Sequence, residues 1–198
     1  MKTGFPDPLI AMALELEGGD PFSRAEVPVL YTGVGKVNAA YHLALRLTEY
    51  RHSGVPLPLV VNFGTAGSPL FDTGELVSCS AFVQRDMDAS ALGFPAGSTP
   101  YDEAPAVLEF PHIVTGLPDG ICGTGDSFAT SHSATHFNVV DMEAYALAKV
   151  CWLQGARFTS IKFITDGADG AAPDSWKSNV GLAAERFLEI YRRLTALP

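Results

Sequence analysis

Charge is scarce in this sequence and unevenly signed. Only 18% of residues are charged, and 22 acids against 13 Lys and Arg leave a formal charge of −9. A nucleic-acid backbone is bound by neutralising its phosphates with Lys and Arg, so this balance argues against a nucleic-acid partner and suits a small uncharged or cationic ligand. Cysteine is also rare. Cys79, Cys122 and Cys151 are odd in number and far apart, which argues against a disulfide framework or a zinc site and leaves reduced, buried thiols. No apolar run approaches the roughly 20 residues needed to cross a bilayer. Met1 to Pro8 carries one Lys and no apolar stretch of signal-peptide length, so neither a membrane nor secretion is expected, and the cytoplasm is the default location. Repeats, linkers and low-complexity tracts are absent as well.

What the chain does have is apolar mass. Hydrophobic residues make up 47% of its 198 positions, alongside 19 Gly and 14 Pro, the profile of one turn-rich domain able to bury a core and shape a pocket. Leu9 to Leu16 reads as a buried strand that meets a loop at Glu17 and Gly18-Gly19. Val27 to Thr32 reads as a second strand. A Gly33-Val34-Gly35 turn then leads into a helix over Lys36 to Tyr50, with Val37, Ala40, Leu43, Ala44 and Leu47 at helical spacing. Pro58 to Phe63 is a third strand closed by a Gly64-Thr65-Ala66-Gly67 turn, and Gly74 to Val83 a fourth. Between Asp86 and Asp119 periodicity fades into loops and short strands. Val139-Val140 precedes Asp141, a good N-cap residue, and a helix over Ala144 to Leu153. Arg157 to Thr165 returns as a strand, and Pro173 introduces a final helix over Ser175 to Leu194. Strands alternating with helices imply an α/β fold with a largely parallel sheet covered on both faces.

Three acids fall where such sheets place working groups: Glu17 after the first strand, Glu143 at the start of a helix, and Asp166 at the end of a late strand. Ligands bind beyond the carboxyl ends of the strands. Each acid alone has a plainer explanation, as a solvated loop acid, a carboxylate favoured by the helix dipole, or a turn-former before Gly167. His132 and His136, four residues apart, lack a third ligand and read as solvated or packed side chains. Neither a metal nor a cofactor is expected.

The segments around the acids add to this. Ala13-Leu14-Glu15-Leu16-Glu17, Tyr31 to Ala40 (YTGVGKVNAA), Val60 to Gly67 (VVNFGTAG), Gly125-Asp126-Ser127-Phe128, Val139 to Val150 (VVDMEAYALAKV) and Ile164 to Asp169 (ITDGAD) occur in that order. Together they resemble the motifs of the nucleoside phosphorylase and nucleosidase superfamily, most closely the methylthioadenosine/S-adenosylhomocysteine nucleosidases. The resemblance implies a three-layer αβα, phosphorylase-like fold with a mixed, largely parallel central sheet. It implies a small-molecule nucleoside as substrate, with Asp166 protonating N7 of the purine, Glu143 holding the ribose hydroxyls and Glu17 activating the attacking water. Phe128 would stack on the base and the Ala129 backbone would read its edge. Val34, Met142, Thr65, Ala66 and Gly67 would complete the pocket. Trp176 follows Asp166 at the interval of the aromatic that lines the 5′ pocket in those enzymes, although it also reads as a core tryptophan. A homodimer is implied, because there a neighbouring subunit closes the 5′ end.

Leaving-group protonation, a carboxylate for two hydroxyls and a base near the anomeric carbon all serve an oxocarbenium-like transition state. Phosphorylases of the superfamily use phosphate instead, an anion that wants Arg. Gly19-Asp20-Pro21-Phe22-Ser23-Arg24 resembles their Gly-Asp-Pro-x-Arg turn, yet it falls after Glu17. Asn62 stands where they carry a second Arg. Water is thus the expected nucleophile, with a phosphorylase or a non-catalytic nucleoside binder as alternatives. The chain is shorter than typical nucleosidases between Glu17 and Val27 and around Asp102 to Asp119.

Overall fold

The computed structural model describes residues 6–131 and 136–196. In chain order the elements are β1 (Leu9–Met12), α1 (Glu15–Arg24), β2 (Val29–Tyr31), α2 (Lys36–His52), β3 (Val60–Gly67) and β4 (Leu76–Gln84). After a 3₁₀ turn at Ser90–Leu92 come β5 (Val107–Glu109), β6 (Asp119–Thr124), β7 (Val139–Asp141) and α3 (Ala144–Gln154). Then follow β8 (Phe158–Asp166), α4 (Ala172–Asn179), a second 3₁₀ turn at Val180–Leu182 and α5 (Ala183–Thr195).

One mixed sheet runs β2-β1-β3-β7-β6-β4-β5, and β8 lies between β3 and β4, parallel to the first and antiparallel to the second. Strands β3, β8, β4, β6 and β7 thereby close into a ring. The ring is completed by a single antiparallel bridge, Gly67 to Val140, near the carboxyl ends of both strands. The two faces bury separate apolar clusters. Leu43 and Leu47 of α2 and Leu147 and Cys151 of α3 share one cluster with Phe82 and Phe158. Phe22 of α1 and Phe187 and Leu188 of α5 share the other with Ile10, Phe63 and Phe163. With apolar cover on both sides, every residue of β8 is buried, including Thr159, Ser160, Lys162, Thr165 and Asp166, whose polar groups must find partners inside the protein.

Several local expectations need correction. Glu17 lies inside a helix, not in a loop. Its side chain turns back to accept the Ala13 and Leu14 backbone N–H groups, both at 3.1 Å, which satisfies donors at the start of α1. The Gly18-Gly19 pair marks a kink within α1, at Gly19, rather than the element's end. Gly64-Thr65-Ala66-Gly67 is strand, because β8 pairs with it as far as Asp166, with a register shift between Ala66 and Gly67 that passes over Thr165. The final helix is two helices separated by the 3₁₀ turn. Asp141 ends β7 and Glu143 takes the N-cap position of α3, although the Asp141 carboxylate still accepts the Ala144 N–H at 2.8 Å. On α2 the buried stripe is Ala39, Leu43 and Leu47, while Val37 is 80% exposed.

Candidate active site

The carboxyl ends of β1, β3, β7 and β8 open onto one cavity of about 550 Å³. Glu17, Glu143 and Asp166 all line it, and their residue exposures are only 3%, 9% and 4%. Val34, Thr65, Ala66, Gly67, Phe128, Ala129, Met142 and Trp176 line the same cavity, so the structure brings together every residue expected to work there. Of the two histidines weighed as ligands, His132 lies outside the described residues. No cluster of three or more potential metal ligands occurs among the described residues.

Glu17 is held by four donors. Its Oε2 accepts the two N–H groups of its own turn, and its Oε1 accepts the Thr65 N–H at 2.7 Å and the Thr65 hydroxyl at 2.9 Å. Asp166 accepts the Ala168 N–H at 3.0 Å on Oδ1. A side chain on residue 67 would meet that same oxygen at 2.5 Å, so only glycine lets β3 pass this close to the carboxylate. The Thr165 hydroxyl sits 2.8 Å from Asp166 Oδ2 and 3.2 Å from the Ala66 carbonyl oxygen.

Glu143 accepts the Gly35 N–H at 2.8 Å, which ties the glycine turn before α2 to the start of α3. Burial first, and then the negative charge of Asp141, push its carboxyl up from an ordinary 4.5 to about 8. Asp141 goes the other way. Burial alone would raise it, but the buried Lys162 ammonium at 2.8 Å, the Thr124 hydroxyl and the Ala144 N–H together hold it below the usual carboxylate range. The site therefore keeps one acid charged and paired while its neighbour two residues on resists ionisation.

Residues 22–196 match the family model described as the phosphorylase superfamily. The chain belongs to the phosphorylase superfamily. Relatives within the superfamily include 5'-methylthioadenosine/S-adenosylhomocysteine nucleosidases of Marinomonas sp. (strain MWYL1) and Geobacillus kaustophilus (strain HTA426). Both are 30% identical to this chain over 186 aligned residues, covering 83% of it and 78% and 77% of their own lengths. Among solved structures, a futalosine hydrolase mutant of Helicobacter pylori superposes with a TM-score of 0.79 at 24% identity, covering 94% of this chain and 98% of that one. A nucleosidase structure from Francisella philomiragia superposes with a TM-score of 0.80 at 20% identity over the same shares. These two likenesses show the superfamily fold, including its mixed sheet between helical layers.

Three residues escaped the sequence reading. Lys162 is a lone cation between Ile161 and Phe163 in a wholly buried strand, where a charge needs a partner. Asp141 was read only as a cap. Arg85, at the end of β4, lines the cavity, and its guanidinium reaches the Gly125 carbonyl, the Ser127 carbonyl and the Ser127 hydroxyl, grasping the loop that carries Phe128.

Proposed function

We propose that this chain, working as a single domain, hydrolyses the N-glycosidic bond of a purine nucleoside with a modified 5′ position, methylthioadenosine and adenosylhomocysteine being the nearest chemistry. The convergence of three buried carboxyl groups and an aromatic on one cavity carries this reading. Phe128, 45% exposed towards the cavity mouth, offers a flat face for the base. Asp166 donates a proton to N7 as the bond from C1′ to N9 breaks and its electron pair passes to the purine. Water then adds to C1′ and gives a proton to Glu17, leaving free base and the 5′-modified ribose. The surroundings of Asp166 support its part. The Thr165 hydroxyl at 2.8 Å from Oδ2 and the Ala168 N–H at 3.0 Å from Oδ1 hold its carboxyl at the cavity wall.

Water is favoured over phosphate by where the expected phosphate ligands lie. Arg24 sits on the surface, paired with Glu185 at 3.3 Å. Asn62 is buried, donating to the Ala11 carbonyl and accepting the Ser160 hydroxyl, and is committed to the sheet. The apolar face of Trp176 packs on the 5′ substituent. The chain pairs with a second copy through the exposed Val37, Tyr41 and Leu45 of α2, and its free, buried thiols suit the reducing cytoplasm. Incubation with methylthioadenosine, adenosylhomocysteine, inosine and futalosine, with and without phosphate, tests the reaction. Free base without phosphate is expected; base released only with phosphate would make it a phosphorylase, and no base despite binding would make it a binding protein.

A further inference from the structure

Trp176 reaches the catalytic machinery by a route separate from any contact with a 5′ group. Its indole Nε1–H donates to the Thr65 hydroxyl oxygen at 3.1 Å, and that hydroxyl donates to Glu17 Oε1 at 2.9 Å. The direction of this chain is fixed by chemistry. An indole N–H is a donor only and an ionised carboxylate an acceptor only, so the single Thr65 proton must point at Glu17. Three of the four donors on Glu17 are backbone N–H groups fixed by α1 and β3. The fourth is a hydroxyl rotor, the one donor able to turn away, and Trp176 stops it from turning.

We propose that Trp176 is a positioning residue for Glu17, acting through Thr65, so that the seating of α4 sets the orientation of the water-activating carboxylate. The Asn179 side chain supports the seating by donating to the Thr165 carbonyl oxygen at 2.9 Å, which pins the far end of α4 to β8. The proposal rests on the assignment of Glu17 as the base and adds a residue that never touches the reacting atoms. It also separates two properties of one side chain. The ring surface belongs to binding, and the N–H belongs to the geometry of the base.

Trp176→Phe keeps an aromatic ring and removes the N–H. The expected result is a fall in kcat of about threefold to tenfold, the worth of one hydrogen bond, equal for methylthioadenosine and adenosine. Thr65→Val should lower kcat similarly, and adding Trp176→Phe to it should lower kcat no further. In a Thr65→Ser background the effect of Trp176→Phe should return. Independent falls that multiply in the double variant, or an unchanged kcat in Trp176→Phe, would overturn the proposal. A readout without turnover distinguishes failure of this proposal from failure of the hydrolase assignment. With Trp152 as internal control, the Trp176 indole N–H resonance should move upfield and exchange faster with solvent in Thr65→Val but not in Thr65→Ser. A resonance indifferent to Thr65→Val would sink the idea even in an active enzyme.

Discussion

A carboxyl group buried beside a second carboxylate keeps its proton well above the usual carboxylate range, and Glu143 is so placed. Between its ordinary 4.5 and about 8, the folded chain holds a proton that the unfolded chain has released. Stability from this group is therefore lost as pH climbs through that window, by at most about 1.4 kcal/mol per pH unit. Urea midpoints at about pH 5.5 and about pH 7.5 should show a drop that is shallower in Glu143→Gln, whose amide oxygen still accepts the Gly35 N–H. An identical drop in the variant would remove Glu143 as its source. Ionised Glu143 accepts ribose hydroxyls best, so KM should also fall as pH rises towards about 8 and lose that dependence in the variant. For Asp166→Asn, an amide cannot deliver the leaving-group proton, and turnover should fall by about 10²–10⁴ with an unchanged circular dichroism spectrum. Activity within threefold of the original, roughly 0.7 kcal/mol of barrier, would rule Asp166 out as the acid.

At the scale of elements, the loop from β6 to Phe128 is held by Arg85. A Cβ at residue 125 would meet the guanidinium carbon at 2.9 Å, so a larger residue there would displace the Arg85 side chain from this grip. Both Arg85→Ala and Gly125→Ala should loosen the Phe128 platform and weaken adenine binding about tenfold by calorimetry. Undiminished binding in both would mean that the loop holds itself. The same region shows what was legible in the sequence. Elements such as α3 and the first half of β3 announced themselves because their residues are mostly apolar and buried, and β8 because Phe158, Ile161, Phe163 and Ile164 punctuate it between a glycine turn and Gly167. Strand β6 did not, because Gly120 and Gly123 replace the branched residues that mark strands, and Asp119 and Ile121 face outward. Helix α1 was hidden by Gly18, Gly19 and Pro21, three poor helix formers held in place by packing of Phe22 on Phe63 and by the Glu17 cap. The acids were legible because each sits at a strand or helix boundary. Their electrostatic division was not, since it depends on Lys162 lying across the sheet from Asp141.

For the whole molecule, the exposed stripe of Val37, Tyr41 and Leu45 runs along α2 opposite its buried face, an arrangement that a second copy can cover. Light scattering at micromolar concentration should give twice the chain mass, and Tyr41→Glu should halve it; a monomer in the unaltered protein would refute the pairing. The ring of strands has a further implication, for how the chain acquires its shape during synthesis. Strand β8 is the last strand among the described residues, yet it fills the gap between β3 and β4, about a hundred positions earlier in the sequence. Until it emerges, those two strands present long, apolar, unpaired edges. Such non-local closure is slow and prone to aggregation. Refolding should accordingly populate a state with both helical layers partly formed and no enzymatic activity. Asp166, proposed here as the acid, arrives only with the closing strand, so the proposed activity cannot precede closure of the ring.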